Sequence, residues 1–224
     1  MNTKLQLAAC LPLLLLLLGC TVTPNQPVHA IPKNAENPII YKPSDVKSAQ
    51  AVQQNIPDEI KELFNKSSKI KSIYYKYRGP QTGANFFEFY LKGSIIKYEP
   101  FCNVRALDEH DSYDFIFIDT SAKTAQAYCE AAYCANRGKK KDLEYADVYI
   151  TTIFDWTKGI IDARKIGEEI IDDRNTWKIE TNNGIMWVDT FYGIPLKVES
   201  GGKTFRYQQI AVNSLQDSDV MPSI

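Results

Sequence analysis

Histidine is nearly absent from this 224-residue chain, with two in all, and cysteine is scarce, with five. A structural zinc site wants about four nitrogen or sulfur ligands. Only His110 and the cysteines Cys102, Cys129 and Cys134 could supply them in the carboxyl-terminal three quarters, so no metal is expected. Excess charge of one sign is also lacking: 26 Lys and Arg stand against 27 Asp and Glu. The one basic cluster, Arg137 with Lys139, Lys140 and Lys141, reads as a solvated loop, or as a weaker contact for anionic lipid headgroups. Nucleic acid, which calls for a clustered basic surface, is not an expected partner. Gly79, Gly83 and Gly93 are too scattered to form a phosphate-cradling loop, and no cofactor is expected.

Arrangements for catalysis are equally thin. Cys102, His110 and Asp111 have the residue types for nucleophilic chemistry, but they are local and no motif presents the thiol on a strained turn. The carboxylate pairs Asp108-Glu109 and Glu168-Glu169 have the types for acid–base work on sugars. Without a motif to bring them together they read as surface acids, and the chain is expected not to be an enzyme.

Long apolar runs are missing too, except one. Lys4 precedes an uncharged stretch from Leu5 to Leu18 that ends in six consecutive leucines. That is the length of a signal-peptide core and short for a membrane span. It closes in Leu17-Leu18-Gly19-Cys20, which resembles the bacterial and archaeal lipobox. The resemblance implies cleavage before Cys20 and lipidation of its thiol with diacylglyceryl and palmitate-like chains. Leu7-Ala8-Ala9-Cys10 has similar small residues but leaves too short an apolar core before it. An uncleaved anchor helix or a plain secreted protein is the alternative, and either still places the domain outside the cytoplasm. Because one acyl chain holds a protein marginally and two hold it firmly, the lipid on Cys20 would fix the chain to the membrane on its periplasmic or outer side.

Residues 1–19 are thus read as a lipoprotein signal peptide and 20–56 as a tether. Pro24, Pro27, Pro32, Pro38, Pro43 and Pro57 fall within or at the end of the tether, among polar residues that cannot build a core. Residues 57–222 are of ordinary size for one domain. Pro57 suits the first helical position, with Asp58 and Glu59 in the first turn and Ile60, Leu63 and Phe64 on one face. Strands rich in Tyr, Phe and Ile follow at Lys69 to Arg78, Phe86 to Lys92, Ser94 to Glu99, Ser112 to Asp119 and Thr124 to Cys129. The spacing of Trp156, Ile160 and Ala163 predicts a second helix over Ile153 to Arg164, with Asp155 at its start. Five more strands, to Val212, are separated by turns such as Asn182-Asn183-Gly184 and Gly201-Gly202, which indicates an up-and-down meander.

Several of these strands are apolar on both faces, as at Phe86 to Tyr90, Phe115 to Ile118 and Ile185 to Asp189. A sheet of this kind needs cover on each side. Two readings stay open: a sheet curled around helices that plug its hollow, or one that leaves a cavity for a hydrophobic ligand. Phe87, Phe89, Phe115, Phe117 and Trp187 are the expected lining residues. The fold class is α+β, a strongly curved antiparallel half-barrel of about 9–11 strands with two or three short helices on its concave side.

Trp187-Val188-Asp189, followed by Gly193-Ile194-Pro195-Leu196-Lys197-Val198-Glu199, resembles a run found in the LolA/LolB-like lipoprotein-carrier superfamily. The order of elements is similar as well. The resemblance implies an open half-barrel with helices as a lid, binding acyl chains or presenting a surface to another envelope protein. Read physically, Gly193 frees the backbone for a turn, Pro195 starts a strand where no ladder bond is needed, and Leu196 and Val198 face the core. Two features depart from the soluble carriers: the lipid anchor, and the Cys129 to Cys134 region. Cys129 and Cys134 are five apart and favour a small closed loop, with Cys102 paired to one of them as the alternative. Two functions follow: a membrane-tethered domain that binds a lipid or other hydrophobic ligand for transfer or sensing, or a non-enzymatic interaction module with a filled core.

Overall fold

The computed structural model describes residues 55–100, 113–129 and 137–222. The signal segment, Cys20, the tether to residue 54, Cys102, the 108–111 group and Cys134 lie outside the described residues. Eleven strands form a single antiparallel sheet: β1 (Ser72–Arg78), β2 (Phe87–Lys92), β3 (Ile95–Pro100), β4 (Phe115–Asp119), β5 (Thr124–Tyr128), β6 (Lys140–Leu143), β7 (Ala163–Ile171), β8 (Arg174–Thr181), β9 (Gly184–Asp189), β10 (Pro195–Ser200) and β11 (Lys203–Val212). Their spatial order is β6-β5-β4-β3-β2-β1-β11-β10-β9-β8-β7. Two meanders are therefore joined by the pairing of β1 with β11, and the sheet is open, with β6 and β7 at its edges. This is the curved half-barrel that the strand pattern predicts.

Helix α1 (Asp58–Asn65) follows Pro57, which sits at the cap position, one residue earlier than predicted. The Pro57 carbonyl accepts the amides of Ile60 and Lys61, and Ile60 and Leu63 turn into the core. Just before it, Asn55 makes a parallel bridge to Asp162, so the chain enters the domain beside the start of β7.

The predicted helix over Ile153 to Arg164 does not form. The segment 145–161 contains only α2 (Tyr145–Val148) and a 3-10 turn at Asp155–Thr157, and β7 begins at Ala163. Helical spacing was a false cue because Asp155 does not cap a helix. Its Oδ2 accepts the Thr152 amide (2.7 Å), the Thr152 hydroxyl (2.8 Å) and the Tyr149 hydroxyl (2.7 Å), which knots the chain into a tight turn. Two residues past that turn Gly159 takes φ +67, a conformation that ends any helix. The basic cluster is also partly structured, since Lys140 and Lys141 belong to edge strand β6, where charge guards against further pairing.

Candidate functional site

The sheet has one covered face and one outer face. On the covered face the central strands place Tyr75, Tyr77, Phe87, Phe89, Tyr98 and Tyr207, all buried. Antiparallel register puts Tyr77 opposite both Phe87 and Tyr207, and Phe89 opposite both Tyr75 and Tyr98, so the rings form one contiguous floor. Tyr75 stacks on Phe89 at 5.2 Å and meets Tyr207 edge-on at 5.2 Å, while Phe89 stacks on Tyr98 at 5.0 Å. Burial raises the hydroxyl pKa of Tyr75 and Tyr207 well above that of an ordinary phenol, and it raises Tyr77 and Tyr98 as well, so the floor stays neutral.

The segment 145–161 lies over this floor as a lid and contributes Val148, Ile150, Ile153 and Ile160 to the core. Its polar attachments are few. The Tyr98 hydroxyl donates to the Val148 carbonyl (3.0 Å), and the Trp156 indole N–H donates to the Tyr207 hydroxyl (2.6 Å). At the far end Asn183 donates to the carbonyls of Trp156 and Lys158, each at 3.0 Å. The hydroxyl of Tyr75, fully buried beneath the lid, makes no hydrogen bond of good geometry; only the Ile153 backbone is near enough to interact with it.

Of the five predicted lining residues, the structure brings only Phe87 and Phe89 together on this floor. Phe115, Phe117 and Trp187 stand on the outer face, because Phe117 pairs with Lys97, which pairs in turn with Tyr90, and Trp187 pairs with Lys178 and Lys197. There they are covered by lysines. The Lys97 ammonium lies 4.0 Å from the Phe115 ring centre and 5.4 Å from that of Phe117. Lys178 and Lys197 flank Trp187 at 4.7 and 3.9 Å, and the tryptophan is 2% exposed. The tyrosines of the floor are not among the expected lining residues. Their signal is the alternation Ile73, Tyr75, Tyr77 along β1.

The Trp187 to Glu199 run has a structural role. Asp189 is buried and pairs with Arg174 (3.0 Å), while its other oxygen accepts the Phe191 amide (3.0 Å). Gly193 has φ +68, and a β-carbon there would lie 2.0 Å from the Leu63 carbonyl oxygen, so the turn can pack against α1 only with glycine. Pro195 starts β10 as predicted. Val198 joins the core, whereas Leu196, buried at a bulge, borders an outer cleft instead.

Glu168 and Glu169 point to opposite sides of β7 and pair with Lys165 (2.6 Å) and Lys178 (3.6 Å), an arrangement of ion pairs rather than of paired acids. Cys129 is buried and disulfide-bonded, with its partner outside the described residues. Among the described residues no cluster could hold a metal ion, and no helix is long and apolar enough to cross a membrane.

No family model and no curated protein matches the chain. Solved structures do. The lipoprotein LppX of Mycobacterium tuberculosis is 10% identical over 76% of this chain and 99% of that one, with a TM-score of 0.44. MucB is 10% identical over 74% of this chain and 62% of its own length, at 0.40. A Vibrio parahaemolyticus domain assigned to outer membrane lipoprotein sorting is 11% identical over 73% and 94%, at 0.28. The observed open antiparallel sheet is the architecture expected from the motif at Trp187 to Glu199.

Proposed function

We propose that this chain is an exported lipoprotein, tethered by a lipid on Cys20, whose half-barrel takes up a lipid or other hydrophobic ligand between the tyrosine floor and the lid. The observation that carries this reading is the join between them. A permanently filled core would be closed most cheaply with Phe, since each buried hydroxyl must find a partner. Here three tyrosines, Tyr75, Tyr98 and Tyr207, face a lid whose polar ties to them are two hydrogen bonds, and the Tyr75 hydroxyl makes none of good geometry. An incoming acyl chain would replace the lid's aliphatic contacts at about 0.8 kcal/mol per buried methylene, and a polar head would give the floor hydroxyls new partners. Phe87 and Phe89 are the ligand-facing phenylalanines in this reading. A Cys129–Cys134 bridge would fix the end of β5, three strands along the sheet from them.

The second reading, a docking module for another envelope protein, is favoured by the fit of Ile153 against the floor, where it is fully buried. Titration with a fluorescent fatty acid, read through Trp156 emission and amide exchange in the lid, separates the two. Saturable uptake with loss of protection at Val148 and Ile153 supports the carrier; no uptake, with the lid protected throughout, supports the module.

A further inference from the structure

Away from the lid, on the outer face, the end of β1 and the start of β11 gather three cations into one cleft of about 400 Å³. Arg78 and Arg206 are directly opposed in the β1–β11 register, an arrangement of like charges that destabilises a sheet unless something lies between them. Lys203 adds a third cation, and Thr204 and the glycines of the 79–83 loop complete the wall. Among the described residues no carboxylate lines the cleft. Asp172 reaches Arg206 from outside at 3.4 Å, through a pair in which each side chain is 40% exposed. Arg78 and Lys203 make no ion pair among the described residues. The Arg206 Nε is buried and has no hydrogen-bond partner.

The rim is fixed in advance. The Tyr77 hydroxyl donates to Gln81 and lies so near Gly79 that a β-carbon there would be 2.1 Å from the hydroxyl oxygen. Thr82 closes the loop by accepting the Gly79 amide (3.2 Å) and donating to the Gly79 carbonyl (3.0 Å). Opposed guanidinium groups beside a hydrogen-bonded loop suit a tetrahedral oxyanion, which accepts several charge-assisted hydrogen bonds at once.

We propose that this cleft binds a phosphate-type oxyanion, either free phosphate or the phosphodiester of a lipid headgroup. Calorimetric titration of the full chain at low ionic strength tests this, first with inorganic phosphate and then with monomeric dihexanoyl phosphatidylglycerol. Saturable binding at one site is expected, weakened about tenfold or more in Arg206→Gln, Arg78→Gln and Lys203→Gln. Tighter binding of the phosphatidylglycerol assigns the site to a headgroup; equal or tighter binding of inorganic phosphate assigns it to the free ion. Phosphate should also raise the melting temperature of the parent chain and not that of Arg78→Gln. Should Arg206→Gln fail to fold, the two exposed positions carry the test. Binding that does not saturate, or that all three variants retain, overturns the proposal.

Discussion

Tyr75 and Tyr207 touch each other on the same floor and differ by one hydrogen bond, so their phenylalanine variants should behave in opposite ways. Tyr75→Phe removes a buried hydroxyl without a partner and is expected to leave stability unchanged or raise it. Tyr207→Phe strands the Trp156 indole N–H and should cost about 1–3 kcal/mol in urea unfolding. On the other face, Trp187→Ala should cost about 3–5 kcal/mol by opening a cavity between two lysines, while uptake of a hydrophobic ligand by the folded fraction is retained. Loss of uptake without loss of stability would return Trp187 to the site. The identity of these residues was readable in the sequence, but their side of the sheet was not. A one-residue change in register moves a whole strand's side chains to the other face. The parity between β2 and β4 depends on pairing through β3, and no spacing along the chain supplies it. The doubled aromatic pattern had a reading that needed no second cover, because lysine stems and ammonium groups roof Phe115, Phe117 and Trp187.

The lid is the element on which the proposed function turns, and Asp155 is its knot. Burial would raise the carboxyl pKa, yet hydrogen bonds from Lys158, Tyr149 and Thr152 together bring it below the usual value of 3.8. A depressed folded-state pKa contributes stability that is present above the unfolded value and lost as pH falls through the folded one. The lid should therefore hold firm at neutral pH and loosen only below about pH 3.8, seen as faster exchange at Ile153 while β1 and β2 keep their protection. Asp155→Asn, which keeps the shape and removes the charge, should cost about 1–3 kcal/mol at pH 7 and progressively less as pH falls through the folded-state pKa. A cost that does not change with pH would contradict this role. The sequence misleads here for a local reason: apolar residues three and four apart fit one helical stripe, whereas an irregular cover presents the same residues. The strands were legible because their turns carry local chemistry. Asn182-Asn183 and Gly201-Gly202 connect neighbouring pairs directly, and β11 runs from Lys203 to Val212 as expected.

At the scale of the whole molecule, an open sheet with one covered face is joined through Asn55 to a segment that the sequence reads as a proline-rich spacer ending in a lipid. Cys20→Ser should move the protein from the membrane to the soluble fraction on cell fractionation; retention in the membrane would mean the leader itself remains as the anchor. The Trp187 to Glu199 run belongs to this scale as well. Its aspartate, glycine and proline hold the β9–β10 turn against α1, so the resemblance it carries speaks to how the sheet is built. What the covered face receives is decided by the join between lid and floor. Native mass spectrometry of the full chain, released gently from the membrane, tests this most directly. The account predicts one non-covalently held lipid for each chain beyond the acyl groups on Cys20, lost when the lid is opened by acid. Repeated recovery of the chain with no such lipid, and with the lid closed, would contradict it.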